Sequence, residues 1–142
     1  MILETLLKLG LAILLSSLVG YEREKLHRAA GLRTHILVCL ASTLLTIAPL
    51  SLNLPSIDPT RIAAAIITGM GFIGAGTILQ SKGKIIGITT AASLFFIAGI
   101  GITIGFSQYF LAIFSTVLAY LVLIEGRKFK AFFFKRKISR RK

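Results

Sequence analysis

The long uncharged stretches of this chain constrain its fold more than any other feature. Residues 85–124 contain no charged side chain, and neither do residues 62–80. About 20 apolar residues cross the roughly 30 Å of bilayer hydrocarbon as a helix, so the first stretch has about twice the length of one span. Gly105, Ser107 and Gln108 predict a turn that divides it. A soluble domain of 142 residues that are 55% hydrophobic has too little interior for this much apolar surface.

Two further stretches of membrane length precede these. Residues 6–21, extended by Ile2 and Leu3, predict the first span, with Lys8 near its start and free to reach the interface. Residues 35–54 predict the second, in which Pro49 favours a kink or an early end. We therefore predict an all-α, polytopic transmembrane bundle of about five spans. Its membrane domain covers residues 1–126, and a basic tail covers residues 127–142.

The cations of the chain predict the orientation of these spans. Lys and Arg concentrate on the cytoplasmic side of membrane proteins. Fifteen of the 17 cations fall in the loops after the first and third spans or in the tail, and two, Lys8 and Arg61, fall on the alternate side. The distribution predicts an N-terminus outside and a C-terminus in the cytoplasm, in a bacterial inner membrane. The tail also interleaves Phe with its cations, which predicts contact with anionic lipid and argues against nucleic acid as the partner.

The third predicted span contains Gly69-Met70-Gly71-Phe72-Ile73-Gly74, which matches a dinucleotide-binding motif in its letters alone. That motif needs a preceding strand in a βαβ unit, and an uncharged membrane-length stretch does not offer one. Small residues instead let membrane helices approach closely. We predict a packing role and a central, crowded position for this span. The predicted packing residues are Ala65, Gly69, Gly71, Gly74 and Gly76.

Polar residues cluster at the predicted cytoplasmic face. The first loop carries two acids and four cations, which suit either a solvated connector, an ion-pair network or a site for an anionic ligand. Its helix is expected to continue past the bilayer, with Glu24 and Arg28 paired one turn apart and Gly31 ending the extension. The hydroxyls that open the fourth span bond neighbouring helices or line a polar vestibule. The candidate polar residues at this face are Glu22, Arg23, Glu24, Arg28, Arg33, Thr34, His35, Thr89 and Thr90.

Asp58 and Arg61 stand on the opposite side, before the third span. Asp58 precedes Pro59, so it is expected to cap that helix, with an outward-facing cation or proton site as the alternative. Cys39 is the only cysteine, which excludes an intrachain disulfide, and no Cys/His spacing indicates zinc. The sequence predicts no catalytic residue, no cofactor and no metal ligand.

Three segments taken together resemble the MgtC/SapB family of bacterial membrane proteins. They are the segment from Gly20 to His35, the segment from Asp58 to Gly76, and Gly87-Ile88-Thr89-Thr90-Ala91-Ala92-Ser93. The resemblance extends from about residue 8 to residue 124. It implies several membrane helices, a role in adaptation to low magnesium, and action by restraining the membrane ATP synthase. Many family members carry a soluble cytoplasmic domain after the membrane part; this sequence is expected to end in a short basic tail instead, so any role of that domain is not carried over.

Two classes of function follow from these observations. The first is a non-catalytic protein that modulates another membrane complex, with a membrane protein or a second copy as its partner in the bilayer. The alternative is an oligomeric transporter or channel for Mg²⁺ or protons. Acids inside a membrane usually mark ion routes, and between Glu24 and Glu125 the sequence has only Asp58. That pattern favours the regulatory class. Enzymatic chemistry would need positioned acid–base partners, and only the cytoplasmic-face cluster offers any.

Overall fold

The computed structural model describes the backbone of residues 2–51, 58–81 and 84–139, and the side chains of residues 2–50, 58–78 and 85–125. Within these residues the chain forms five helices and one small hairpin. Helices α1 and α2 cover Ile2–Lys25 and Leu32–Ser51, and α3 covers Pro59–Gly76. Strands β1, Leu79–Ser81, and β2, Lys84–Ile86, pair antiparallel with Leu79 opposite Ile86. Helices α4 and α5 cover Ile88–Gly105 and Tyr109–Ser139.

These helices confirm the all-α class of the prediction. By length and composition, Ile2–Lys25, Leu32–Leu50 and Ile88–Gly105 qualify as membrane spans, and the apolar helix Tyr109–Glu125 is shorter. The predicted division of the long stretch is confirmed, since α4 ends at Gly105 and α5 begins at Tyr109. The prediction that the N-terminus lies outside and the C-terminus lies in the cytoplasm stays a prediction. Helix α5 continues through the predicted tail as far as Ser139.

Several predicted boundaries differ from the structure. The third and fourth predicted spans both extended into the hairpin, because its apolar residues continue the apolar runs on either side. Helix α2 passes through Pro49 to Ser51, and the predicted end of the second span at residue 54 lies outside the described residues. The α1 extension ends at Lys25, where His27 adopts a left-handed φ of 50° and Arg28 N–H donates to the Arg23 carbonyl at 3.1 Å. Gly31 therefore does not end α1, and Glu24 and Arg28 are not one helical turn apart.

Helix α4 is the centre of the bundle. Ten of its residues are buried, and it contacts each of the other four helices. The core around it includes Leu15 and Val19 of α1, Cys39 of α2 and Ala112 of α5. Contacts between its ends and α1 show that these two helices run antiparallel, whereas α2 and α4 run parallel. We call the end of the bundle where α1 ends and α2 and α4 begin the basic end.

Glycine brings α2 and α4 into close contact. A Cβ at Gly101 would lie 2.5 Å from the Cys39 carbonyl oxygen, and one at Gly105 would lie 2.5 Å from Thr46 Cβ. Thr43 Oγ1 donates to the Gly101 carbonyl at 3.1 Å across the same contact. Small residues let membrane helices approach to backbone distance in this way. The closest glycine-mediated helix contact in the described residues therefore lies on α4.

The prediction that α3 is the central helix of the bundle is wrong within a single copy of the chain. Only Met70 and Gly74 of α3 are buried, and a Cβ on Gly74 would make ordinary contact with Ala91 of α4. The other predicted packing residues are exposed, and no atom lies within 4 Å of a Cβ added to any of the three glycines among them. They are Ala65, Gly69, Gly71 and Gly76. A small-residue pattern marks a helix that can be approached closely, but it does not say that another helix of the same chain does so.

Candidate functional site: a buried polar cluster at the basic end

A cluster of buried polar side chains joins α1, α2 and α4 at the basic end. Glu22 and Arg23 lie in the last turns of α1, His35 in the first turn of α2, and Thr90 and Ser93 in the first two turns of α4. All five are buried, with His35 completely so and Arg23 4% exposed. Polar groups away from water must bond one another, because an unsatisfied one costs several kcal/mol in hydrocarbon.

Close helix approach positions His35 in this cluster. A Cβ at Gly20 would lie 2.9 Å from Leu32 Cα and 3.0 Å from His35 Cβ, so α1 and α2 nearly touch here. Glu24 Oε2 accepts from the Leu32 backbone N–H at 2.7 Å and thereby caps the start of α2. A glycine and a capping carboxylate together fix the entry of α2 beside the end of α1.

His35 connects α2 to α4 through its two ring nitrogens. Nδ1 lies 2.8 Å from the Gly31 carbonyl oxygen, and Nε2 lies 3.0 Å from Ser93 Oγ. The carbonyl can only accept, so Nδ1 carries a proton. In the neutral ring Nε2 then accepts from the Ser93 hydroxyl, which is also placed to donate to the Thr90 carbonyl at 2.8 Å. One hydroxyl proton thus has two acceptors within reach, and the ring orientation is fixed from both sides.

Arg23 connects α1 to the first turn of α4. Its Nη2 donates to Thr90 Oγ1 at 3.2 Å, and Nη1 lies 3.9 Å from Glu22 Oε2, at the outer limit of an ion pair. Arg23 Nε is buried and has no hydrogen-bond acceptor among the described residues. A buried charge pair of this kind is a poor source of stability, since desolvation offsets most of its attraction. It is better explained by function or by structural specificity.

The start of α4 is shaped by Gly87. This residue has φ of 94°, and an added Cβ would collide with the Thr77 carbonyl oxygen. No side chain caps the helix at Gly87, and the first intrahelical bond runs from the Ala91 N–H to the Gly87 carbonyl. The N–H groups of the three preceding residues, Ile88, Thr89 and Thr90, therefore point out of the helix end without an intrahelical acceptor.

The structure separates the predicted site residues into two groups. Glu22, Arg23, Glu24, His35 and Thr90 meet at the basic end, as described above. Also at that end are Thr34, which is half-buried in the first turn of α2, and the exposed Arg28, Arg33 and Thr89. Asp58 and Arg61 lie at the opposite end, about 27 Å away along the 18 residues of α3.

At the opposite end, Asp58 acts as the predicted helix cap. Its Oδ1 accepts from the Thr60 backbone N–H at 2.9 Å and from the Thr60 hydroxyl at 2.7 Å. The Thr60 hydroxyl, followed by the Thr60 backbone N–H, holds the pKa of this carboxyl below its ordinary value. The capping prediction is therefore supported by geometry, and Pro59 occupies the first helical position as expected.

Sequence reasoning missed two residues that the structure makes prominent. Ser93 is the α4 partner of His35, and only its place in a hydroxyl-rich segment hinted at a role. Lys8 is buried, with Nζ 3.0 Å from Glu4 Oε1 and 3.4 Å from the Gly105 carbonyl oxygen at the end of α4. Glu4 and Lys8 stand four residues apart, so their pairing fits the geometry of a helix, whereas no sequence pattern indicates the burial of Lys8 against the α4 end.

Within the described residues no three His, Cys, Asp or Glu side chains are grouped so that they could hold a metal ion. The fold and the site together define a class: a helical membrane protein with a cluster of buried polar side chains at one end of an apolar bundle. Comparison with known proteins identifies the family within this class. The model of the MgtC family matches residues 9–132, and the chain belongs to that family.

Curated relatives from several bacteria support the assignment. The chain is 42% identical over 127 residues to the Escherichia coli K12 protein named "Putative magnesium transporter YhiD", covering 84% of this chain and 59% of that protein. It is 37% identical over 130 residues to SapB of Bacillus subtilis, covering 86% and 56%. It is 39% identical over 113 residues to MgtC of Salmonella typhimurium, covering 80% and 48%. The chain thus spans about half the length of these relatives, and no solved structure matches it.

Proposed function

We propose that this protein is a non-catalytic, multi-pass protein of a bacterial inner membrane that modulates another membrane complex during adaptation to low magnesium. The open face of α3 carries the proposal. Gly69, Gly71 and Gly76 are exposed, and an added Cβ would meet nothing within 4 Å at any of them. Small residues allow a second membrane helix to approach closely enough for van der Waals and polar contacts. This face suits a helix of a partner complex.

The closed interior of the bundle also favours a regulatory role over transport. Buried hydroxyls inside the bundle donate to carbonyls one turn back, as Thr46 does to Ser42 at 2.8 Å and Thr116 does to Ala112 at 2.8 Å. Glycine contacts close the space between α2 and α4. Among the described residues Glu22 is the only buried acid, and it lies at the basic end. Ion routes usually carry ionisable groups deeper in the membrane.

Site-specific photo-cross-linking tests this proposal with a matched pair of positions. Phe72 on α3 is 86% exposed and Phe110 on α5 is 83% exposed, so benzoylphenylalanine at either position faces outward equally. In native membranes under low magnesium, the Phe72 position should yield an adduct with a different membrane protein. The Phe110 position should not yield the same adduct.

Two outcomes would contradict the proposal. Equal adducts from both positions would show that contact follows exposure alone and not the α3 face. Adducts containing only this chain at Phe72, in both low and high magnesium, would assign the α3 face to a homo-oligomer. A Gly69→Leu variant provides the control for a genuine interface, because it should abolish the Phe72 adduct, and a Cβ at this position meets no atom of its own chain within 4 Å.

A cation transporter formed by an oligomer is the second candidate, favoured by the name of the E. coli relative, which describes that protein as a magnesium transporter. Copies that associate through α3 would place the exposed polar Thr68 and the glycines of that helix along a shared path. Reconstitution in liposomes tests this candidate directly. Mg²⁺ or proton flux that disappears with Asp58→Ala would favour transport, and absence of flux in wild-type liposomes would reject it.

A further inference from the structure

The outward face of α3 carries polar side chains in addition to its small residues. Helix α3 packs on the bundle through Ile66, Met70 and Gly74. Successive residues of an α-helix are rotated by about 100°, so Arg61, nine residues before Met70, projects from the opposite side of the helix. Arg61 and Thr68 are both exposed. They therefore lie on the face of α3 that the other described helices leave open.

Arg61, Thr68 and Phe72 follow one another along a single line on this face. Thr68 comes about two helical turns after Arg61, and Phe72 comes about three turns after it. A rise of about 1.5 Å per residue places Thr68 about 10 Å and Phe72 about 16 Å from Arg61 along the helix axis. Phe72 is 86% exposed. A helix that packs on this face therefore meets a cation, a hydroxyl and an aromatic ring in that order.

Arg61 has no ion-pair partner among the described residues. The carboxylate of Asp58 accepts hydrogen bonds from the backbone N–H and the hydroxyl of Thr60. Glu4, the other described acid at this end of the bundle, pairs with Lys8 at 3.0 Å. A cation in the first turn also opposes the helix dipole, so Arg61 disfavours its own helix. Contact with another molecule explains this residue better than the stability of α3 does.

Thr68 lies halfway along α3, at a depth where an unpartnered α3 would face lipid tails. Its hydroxyl donates to the Ala64 carbonyl at 2.8 Å, so its proton is used within the helix. The oxygen keeps its capacity to accept, since a hydroxyl has two lone pairs. Hydrocarbon offers no donor, whereas Ser, Thr, Asn and Gln side chains of a neighbouring membrane helix do. Thr68 thus favours a protein neighbour over lipid at this face.

We propose that α3 docks a partner helix that carries a carboxylate facing Arg61 and a hydrogen-bond donor facing Thr68, about 10 Å further along. This inference rests on the proposed function, because it specifies the membrane protein that contacts the α3 face. Charge complementarity selects the carboxylate, since an arginine that a docked helix removes from water needs a paired anion. A lipid phosphate also pairs with arginine, but it lies in the headgroup layer and offers Thr68 no donor.

Charge reversal combined with photo-cross-linking tests the proposal. Benzoylphenylalanine replaces Phe72, and the adduct with another membrane protein is quantified in native membranes under low magnesium. We expect Arg61→Lys to keep most of the adduct and Arg61→Glu to reduce it at least about tenfold, because attraction becomes repulsion. A glutamate in the first turn favours the helix, so Arg61→Glu should fold. Lys25→Glu, the same change of charge at the exposed end of α1, is the matched control and should leave the adduct unchanged.

Mass spectrometry of the cross-linked peptide identifies the partner helix, and replacement of its carboxylate by arginine should restore the adduct of Arg61→Glu. Thr68→Val, which removes the hydroxyl at nearly constant shape, should also lower the yield and does not depend on the folding of Arg61→Glu. An undiminished adduct with either folded variant, or a cross-linked helix without Asp or Glu, would overturn this inference and leave the proposed function standing. Absence of any adduct with another protein at wild-type Arg61 would overturn both.

Discussion

Substitution of Gly101 by alanine tests the claim that α4 is the tightly packed centre of the bundle. The new Cβ would lie 2.5 Å from the Cys39 carbonyl oxygen and 3.1 Å from the Thr43 backbone nitrogen. Ordinary contact needs at least about 3.4 Å, so α2 and α4 must separate by roughly 1 Å or the neighbouring backbone must shift. Overpacking of this kind costs about 1–3 kcal/mol.

Two smaller effects modify this free-energy change. Separation of the helices stretches the Thr43 Oγ1 bond to the Gly101 carbonyl, now 3.1 Å, and interhelical bonds in membranes contribute about 0.6 kcal/mol on average. Alanine in place of glycine favours the helix by up to about 1 kcal/mol. The net expectation is a loss of about 1–3 kcal/mol in the free energy of unfolding.

Gly99→Ala on the same helix provides the control. No atom lies within 4 Å of a Cβ at Gly99, so only the helix-propensity term applies and the variant should be as stable as the wild type or slightly more so. Equilibrium unfolding in mixed micelles, followed by circular dichroism, measures both variants. Equal stability of Gly99→Ala and Gly101→Ala would refute the close packing of α2 and α4.

Three further predictions follow from the described contacts. Gly87→Ala should destabilise the fold more than Gly101→Ala, since φ of 94° strains any Cβ and the Thr77 backbone blocks it; thermal unfolding of both variants checks the order. Asp58→Asn should lose the part of the stability that depends on the negative charge of the α3 cap. Hydrogen bonding lowers the folded pKa of Asp58 below its ordinary value of 3.8, so the stability difference between wild type and Asp58→Asn should be constant above about pH 5 and shrink as pH falls through that lowered pKa. A double-mutant cycle of His35→Ala and Ser93→Ala should give a coupling free energy of about 0.6 to 1.7 kcal/mol, and additive losses would mean that the 3.0 Å contact contributes nothing.

The sequence predicted the helices well because the bilayer imposes a length and forbids charge. The turn around Ser107 and the cap at Asp58 were visible as local residue choices. Which helix lies at the centre was not visible. The glycines of α3 and those of α4 look alike in sequence. Gly101 of α4 is a packing residue because α2 lies against it, and the sequence does not show which glycines have such a neighbour.

The candidate site was predicted in part for a related reason. Its members on α1 and α2 are charged or ionisable and therefore stand out in an apolar sequence. Ser93 does not stand out, because a hydroxyl in a membrane helix is satisfied by its own helix as readily as by a neighbour. The end of α1 was missed because His27, not a glycine, adopts the left-handed conformation that ends the helix.

The polar cluster has a consequence for how the protein assembles in the membrane. His35 and Arg23 leave the ribosome 58 and 67 residues before Ser93 and Thr90, the α4 residues they bond. An α1–α2 hairpin without α4 therefore has an imidazole and a guanidinium that lack these partners. Insertion of α4 beside α2 satisfies both at once. The cluster thus distinguishes the completed bundle from an α1–α2 intermediate by the hydrogen bonds that α4 supplies.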